Sequence, residues 1–254
     1  LTIDSLTQYL FEYNLLGWKV EASNFRVTSL FGDDEILGSY IARLFPFFIS
    51  ILLYSRAKLN FKFSDNLFYF LFPCAILVTY ISGERTSFFL NIISIIIMLF
   101  TCASLRKVIS LTMISMIILL SVITIFDKRI KNRMVNVTIN QLGLSKSSER
   151  PVLFSETYEG HYKVSFNMFK VKPILGHGVK TFRKYCSKKE NYLSETACTT
   201  HPHNIYFQLL AETGVFSFLI ILSLFLFLTY KLIKISFLNL FKNSNFKDYK
   251  TLIY

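Results

Sequence analysis

Long apolar runs alternate with short charged segments along this chain of 254 residues. The runs approach the roughly 20 apolar residues that an α-helix needs to cross a bilayer, and they carry few charges. The sequence therefore predicts five membrane-spanning helices. Their predicted ranges are 36–54, 67–82, 87–105, 108–126 and 205–230.

The loop between the third and fourth runs is very short, because only Arg106 and Lys107 separate them. We expect these two helices to form a tight hairpin. A polar segment of the chain, 127–204, then follows the fourth run and precedes the fifth.

The composition agrees with a membrane protein, since 52% of the residues are hydrophobic and the mean hydropathy is +0.44. These values are too high for a soluble domain with a solvated surface. The predicted fold class is an all-α integral membrane protein. It is a multi-span helical bundle with one long loop that contains short amphipathic helices.

The distribution of Lys and Arg in the short loops predicts which side faces the cytoplasm. One side collects most of these residues and includes a tail at 231–254, which we expect to be cytoplasmic. Segments 1–35, 83–86 and 127–204 then lie on the outer side. The cytoplasmic set comprises Arg56, Lys58, Lys62, Arg106, Lys107, Lys231, Lys234, Lys242, Lys247 and Lys250.

The outer loop 127–204 is itself basic, with 14 basic and 6 acidic residues and a net charge of +8. A loop longer than about 60 residues can cross the membrane whatever its charge, so this excess does not contradict the orientation. Nucleic acid is not expected as a partner, because no recognition motif is present. An anionic lipid headgroup or a phosphorylated lipid substrate fits the charge better.

The start of the chain has no charged segment before a short apolar run and no cleavage site, so no signal peptide is predicted. We expect that an N-terminal part of the protein is missing.

The cysteines fall into two pairs. Cys74 and Cys102 lie in predicted spans, where a free Cys behaves as a small hydrophobic residue. Cys186 and Cys198 lie in the outer loop, where an oxidising compartment favours a disulfide between them. Two free thiols are the alternative.

All four histidines of the chain lie in the outer loop: His161, His177, His201 and His203. Histidine titrates near neutral pH and is the usual general base in enzymes. Their clustering makes the outer face the candidate region for chemistry.

The stretch "CTTHPHNIYFQLLAETG", residues 198–214, joins two of these histidines to the last apolar run. Pro202 disfavours helix before it, and Asn204 is a good N-cap for a helix from Ile205. His203 is therefore expected just before the helix, at the membrane surface. A metal site at "HPH" is not predicted, because the chain has no HExxH motif and no nearby carboxylate.

Asn204, Gln208 and Glu212 recur every four residues and share one helix face. Such a polar stripe usually faces a cavity or another helix. Alternatively, Gln208 and Glu212 lie in the headgroup region and His203 is a solvated cap.

Two arginines near the spans are candidates for substrate binding. Arg85, in "SGERTS" at 82–87, points outward, where its planar guanidinium can hold a phosphate. The alternative is a membrane anchor paired with Glu84. Arg43 lies about two turns into the first span, where a charged side chain is costly and therefore indicates a functional site. The alternative is that the Arg43 side chain extends to the membrane surface.

An amphipathic helix is predicted at the start of residues 156–186, "ETYEGHYKVSFNMFKVKPILGHGVKTFRKYC". Val164, Met168 and Val171 lie on one face of this helix. "KPILGHG" is expected to end this helix in a turn. Basic residues supply positive charge along the segment: Lys163, Lys170, Lys172, Lys180, Arg183 and Lys184.

The order of these motifs resembles the O-antigen ligase and polymerase family of bacterial membrane glycosyltransferases. The motifs are "FRVTSLFGDDEILGSYIARLFP", "SGERT", "EGHYKVSFNMFKVKPILGHGVKTFRKYC" and "HPHNIYFQLLAETG", and the resemblance extends from about residue 5 to residue 230. It implies an enzyme of the bacterial inner membrane with its active site on the periplasmic face. The outer loop is then a periplasmic loop. Members have about a dozen spans.

The resemblance also implies the substrates. The donor is a glycan linked to undecaprenyl pyrophosphate, and acceptors include the lipid A core, a growing polysaccharide and, in some members, a protein hydroxyl. The family's arginine at the short periplasmic turn corresponds to Arg85, and its histidine before the late helices corresponds to His203. Ligases usually carry an arginine where this chain has Glu159, His161 and Lys163, so ligase and polymerase both stay open.

These observations predict a metal-independent transfer with inversion and no cofactor. His203 is the candidate base, Glu212 or Glu159 orients it, and Arg85 neutralises the leaving pyrophosphate. Further candidate substrate-binding residues are Arg43, His161, Lys180, Arg183, Lys184, Asn204 and Gln208.

Two other functions are compatible with the sequence. The first is a transporter or channel for an anionic or glycolipid substrate, although the internal repeats common in transporters are not seen in the sequence. The second is a non-catalytic assembly subunit.

Overall fold

The computed structural model describes residues 1–20, 25–58, 65–144, 156–189, 191, 193 and 197–241, and within them the structure is mostly helical. The chain divides into two compact units. The first comprises Leu1–Asn136 with Ile233–Tyr254, and the second comprises Val137–Leu232.

The first unit is built on four apolar helices that follow a short amphipathic one. A π-helical segment, Asn132–Asn136, ends the unit's main part. The helices are α1 (Thr2–Phe11), α2 (Leu37–Lys58), α3 (Asp65–Ile81), α4 (Arg85–Thr101), α5 (Arg106–Phe126) and the short α6 (Lys128–Lys131).

In the first unit, α2 packs against α3 and α4, and α3 packs against α5. Large apolar side chains fill the space between these helices, whereas many others point outward. An exposed apolar surface of this extent is typical of helices that face lipid. Fully buried members of the core include Ile49, Phe68, Phe72, Ile76, Ile95 and Ile109.

Three helical segments are long and apolar enough to cross a membrane: Leu37–Arg56, Ala103–Phe126 and Ile205–Leu238. Asn66–Ile81 and Arg85–Thr101 are shorter apolar helices. The protein is therefore a helical membrane protein.

The connection between α4 and α5 differs from the expected turn at Arg106 and Lys107. The α4 helix ends at Thr101, the chain turns through a 3₁₀ segment at Ala103–Leu105, and Arg106 already begins α5. The Arg106 Nε donates to the carbonyl of Leu99 at 3.3 Å. A basic side chain thus satisfies an end carbonyl of α4, which favours an earlier turn than the apolar pattern predicts.

The second unit contains the remaining helices: α7 (Val137–Gln141), α8 (Glu156–Val171), α9 (Phe182–Tyr185) and α10 (Ile205–Phe241). The α8 helix buries Val164 and Met168 in a small core with Phe182 and Ala211. Val171 is exposed, so the apolar face predicted for this helix stops one turn short of its end.

The α10 helix differs from the predicted span 205–230 in two respects. It continues to Phe241, because apolar residues follow Lys231 and keep the helix going into the segment predicted as a tail. It also breaks at Gly214, where φ is 75° and ψ is −170°. Residues 215–238 beyond the break extend about 36 Å at 1.5 Å per residue, enough to cross the hydrocarbon core of a bilayer.

Candidate functional site

The start of α10 places His203 outside the helix. The Asn204 Oδ1 accepts hydrogen bonds from the backbone N–H of Tyr206 at 2.9 Å and of Phe207 at 3.4 Å, as an N-cap does. His203 precedes this cap with a positive φ of 56°, and its side chain is exposed. The cap therefore fixes the backbone from which the imidazole projects.

A cluster of aromatic rings surrounds His203, which we call the histidine cluster: Tyr158, His161, His201 and His203. The ring centroid of His203 lies 4.3 Å from that of His201 and 5.6 Å from that of His161. Tyr158 packs edge-on to it at 5.6 Å and is 40% exposed. Substrate therefore has access to the cluster from the Tyr158 and His203 side.

His161 is the buried member of the histidine cluster, with only 1% of its surface exposed. Its Nδ1 lies 2.9 Å from the carbonyl oxygen of Ala197. Because a carbonyl only accepts, Nδ1 carries a proton and donates it to this oxygen. His161 thus has a fixed orientation.

The electrostatics of the histidine cluster favour a neutral His203. Partial burial lowers the pKa of His203 below its ordinary value, and the neighbouring His201 and His161 lower it further. A neutral imidazole accepts a proton, so His203 has the protonation state that a general base requires at neutral pH.

A second aromatic contact ties α8 to α10 beside the histidine cluster. Tyr162 and Phe207 stack with centroids 4.5 Å apart and planes 4° apart. Burial raises the pKa of Tyr162, and a hydrogen bond to Asn204 opposes that rise. This contact holds the first turns of the two helices together, so the rings of the cluster keep their spacing.

The carboxylate of Glu212 lies inside a turn of the loop and is 3% exposed. Its Oε2 accepts from the backbone N–H of Lys180 at 2.9 Å and from Gln208 Nε2 at 3.1 Å. Its Oε1 accepts from the backbone N–H of Phe182 at 3.0 Å. Three donors on one carboxylate hold the segment after Gly178 against α10.

The break at Gly214 supplies further bonds to the same turn. In an unbroken helix the carbonyl of Ala211 would accept from Val215. Here the Val215 N–H donates to the carbonyl of Pro173 at 2.9 Å, and Ala211 accepts from His177 at 3.1 Å. The carbonyl of Glu212 accepts from Gly178 at 2.7 Å. We call residues 173–178 with these partners the docked turn.

Glycine is required where the docked turn meets α10. A Cβ at Gly176 would overlap the backbone of Glu212, and a Cβ at Gly214 would overlap the backbone of Ile174. Both glycines also have positive φ angles. The sequence "PILGHG" therefore fits the break at "ETG" through close backbone contact.

The predicted basic residues of the loop are exposed. Lys180 follows the docked turn, and Arg183 and Lys184 lie in α9. They are free to meet an anionic surface or substrate, whereas Gln208 is used in holding Glu212.

The predicted arginines lie in the first unit. Arg43 is on an exposed face of α2, in its second turn. Arg85 is the first residue of α4 and is partly buried.

The carboxylate of Glu84 accepts from the backbone N–H of Gly38 at 2.6 Å and of Ser39 at 3.1 Å. Glu84 therefore caps the start of α2.

The two loop cysteines form a disulfide, Cys186–Cys198, with Cα atoms 5.3 Å apart. Cys186 follows α9, and Cys198 follows the Ala197 carbonyl that His161 contacts. The bridge thus connects the side of the loop held by Glu212 with the side that fixes His161. Among the described residues, no three His, Cys, Asp or Glu side chains are grouped to hold a metal ion.

Tyr158 is a site residue that the sequence reasoning missed. It lies three residues before His161, so both side chains share a face of α8. That spacing was the available signal. A tyrosine at the end of an amphipathic helix, however, is also common as a membrane-surface residue.

A sequence profile of the O-antigen ligase family matches residues 68–222, which is more than half of the chain. The chain belongs to the O-antigen ligase family. This confirms the resemblance that the order of motifs predicted. No curated protein and no solved structure matches the chain. The matched range includes Arg85, the docked turn and the histidine cluster, and membership gives this membrane protein a glycosyltransferase-type activity.

Proposed function

We propose that this O-antigen ligase family member transfers a glycan from undecaprenyl pyrophosphate to a lipid A core or to another glycan. The reaction takes place at the periplasmic face of the bacterial inner membrane. The observation that carries this proposal is the histidine cluster, in which the exposed His203 lies beside a buried His161 of fixed orientation.

The acceptor in this reaction is a sugar hydroxyl, which is a weak nucleophile. As its oxygen bonds to the anomeric carbon of the donor, His203 takes the hydroxyl proton. The bond from that carbon to the pyrophosphate oxygen breaks, and the oxygen keeps the electron pair. One displacement from the opposite face inverts the configuration at the anomeric carbon.

The leaving group is undecaprenyl pyrophosphate, a stable anion that needs neutralisation by positive charge more than it needs a proton. We assign this role to Arg85, with the exposed Lys180, Arg183 and Lys184 drawing the anion towards the loop. Arg43 lies on an exposed helix face and is assigned to contact with the lipid-linked substrate.

Six other residues support the site by position. His161 holds the histidine cluster together, and Asn204 caps α10 behind His203. The Glu212 carboxylate accepts hydrogen bonds from Lys180 N–H, Phe182 N–H and Gln208 Nε2, and these bonds hold the docked turn against α10. We therefore propose Glu212 as a positioning residue. Cys186 and Cys198 keep the two sides of the loop together.

Transfer is proposed to proceed without a metal ion or cofactor, since positive side chains supply the charge that a metal would supply. Transfer that continues in excess chelator supports this. Loss of transfer in chelator, with recovery on addition of zinc, contradicts it.

A reconstituted assay tests the proposed function. The full chain is placed in liposomes with a glycan linked to undecaprenyl pyrophosphate and with a core oligosaccharide acceptor. Covalent transfer of the glycan supports the enzyme. Uptake of the glycolipid without transfer supports the transporter. If the chain shows neither transfer nor uptake, the result supports the assembly subunit.

Lipopolysaccharide from a deletion strain separates the two forms of the enzyme. Loss of a polymerase leaves a single repeat on the core. Loss of a ligase leaves a bare core and an accumulation of carrier-linked polymer.

A further inference from the structure

Arg133 is a partly buried cation in the π-helical segment Asn132–Asn136, and the proposed reaction has not used it. Its Nε donates to the carbonyl of Gly83 at 3.1 Å. Among the described residues no carboxylate pairs with its guanidinium. Segments of π-helix are rare and frequently occur at functional sites.

The contact with Gly83 brings Arg133 to the same turn as Arg85. Gly83 has a positive φ of 69°, and a Cβ there would lie 3.2 Å from Cγ of Arg133. The absence of a side chain thus lets Arg133 lie across the turn. Arg85 follows only two residues later and begins α4.

The acids near this turn already have other partners. Arg26, whose Cγ would lie 3.4 Å from a Cβ at Gly83, forms an ion pair with Glu35. Glu84 accepts from the start of α2 and from Ser87 Oγ at 2.9 Å. The carboxylates of Glu35 and Glu84 are thus engaged without Arg133.

A cation that is partly removed from water without an anionic partner costs free energy, and burial lowers the pKa of Arg133 accordingly. An anion that completes the site recovers that cost. The planar guanidinium can hold two oxygens of a phosphate at once. Arg133 also follows the apolar α5 by seven residues, where a lipid phosphate would be at hand.

We infer that Arg133, together with Arg85, binds phosphate oxygens of a polyprenyl pyrophosphate at the Gly83 turn. This inference rests on the proposed function, because it names a residue that holds the donor of that reaction. Arg133 is a binding residue for the donor, and the acceptor does not contact it.

Binding of geranylgeranyl pyrophosphate to the purified full chain in detergent tests the inference. Arg133→Gln is compared with Lys131→Gln, which removes one exposed positive charge two residues earlier. We expect Arg133→Gln to weaken binding about tenfold or more and Lys131→Gln to leave it unchanged. Arg133→Lys keeps the charge without the planar fork and should lie between the two.

A measurement on the wild-type chain covers the possibility that Arg133→Gln does not fold. Phenylglyoxal modifies accessible arginines, and mass spectrometry locates the modified residues. Geranylgeranyl pyrophosphate should protect Arg133 from modification. Vesicles of phosphatidylglycerol without the pyrophosphate should give no such protection.

Transfer kinetics separate binding from a purely structural role. Arg133→Gln should raise the KM for the donor and leave the KM for the acceptor unchanged. Equal binding by Arg133→Gln and Lys131→Gln overturns the inference, as does equal protection by phosphatidylglycerol. If the wild type binds the probe through Arg133 but transfers no glycan, the proposed function fails and the binding site stands.

Discussion

The rings of His161 and His203 lie 5.6 Å apart, and the two residues differ in exposure and in hydrogen bonding. His161 is buried and bonded to the Ala197 carbonyl, whereas His203 is exposed at the start of α10. The buried ring is locked in place, and the exposed ring is available to react.

The pH dependence of transfer should follow the protonation of His203. A base acts when neutral, and the pKa of His203 is lowered by burial and then by His201 and His161. The rate should therefore rise with pH through a value below about 6.5 and stay level above it. The measurement is kcat/KM for the acceptor between about pH 5 and 8.

His201→Asn provides a matched test of that dependence. It removes one positive neighbour, so the pKa of His203 should rise and the acidic limb of the profile should move to higher pH. The move should be partial, because burial is the larger cause. A limb that moves to lower pH would contradict the assignment.

Glu212→Gln should destabilise the docked turn. The amide of glutamine places N–H donors where Lys180, Phe182 or Gln208 also donates, and at least one buried donor loses its acceptor. A loss of this kind costs about 1–3 kcal/mol. Protease cleavage between residues 172 and 186 should become faster.

Thr213→Ala is the control for Glu212→Gln, because within the described part of the chain the hydroxyl of Thr213 donates only to the carbonyl of Leu209 in its own helix. This variant should be cleaved at the wild-type rate. Equal cleavage of both variants would show that the Glu212 carboxylate does not hold the turn.

Much of the fold was available from the sequence, because the apolar runs correspond to helices α2–α5 and α10. The break in α10 was not predicted, since one glycine in an apolar run is tolerated within a helix. The docked turn, some 40 residues earlier in the chain, provides the bonds that stabilise the break.

The candidate site shows the same limit of sequence reasoning. The sequence predicts that Asn204, Gln208 and Glu212 share one helix face. The structure gives them different roles: Asn204 caps α10, and Gln208 donates to the Glu212 carboxylate. That carboxylate also accepts from the backbone of the loop, which is distant in sequence. In the sequence, Arg133 is only one of the 14 basic residues of the loop. Its contact with Gly83 crosses 50 residues of chain.

Gly214→Ala should undock the turn. The new Cβ would overlap the carbonyl of Ile174 and would also sit on a backbone with positive φ. Gly17→Ala is the control, since Gly17 has φ of 85° but open space around it. Gly214→Ala should lower the Tm of the purified protein more than Gly17→Ala, whose strain costs about 1–2 kcal/mol. A Tm decrease equal to that of the control would argue against the backbone contact.

Loss of the Cys186–Cys198 bridge should lower transfer. The bridge lies next to the Ala197 carbonyl that fixes His161, and a disulfide closing a short loop contributes about 3 kcal/mol. Cys198→Ser is compared with Cys74→Ser, because Cys74 is a free cysteine of α3. Transfer in liposomes should fall in the first variant alone, and a reductant should affect the wild type but leave Cys198→Ser unchanged. Wild-type transfer that resists complete reduction would contradict this role.

The most direct measurement is transfer by His203→Ala compared with His201→Ala in liposomes that contain the lipid-linked donor and the acceptor. His201 is an exposed neighbour in the same cluster, and removing it leaves the proposed base in place. His203→Ala should lower kcat at least about a hundredfold with donor binding unchanged, while His201→Ala keeps most of the activity. Full transfer by His203→Ala would contradict the account.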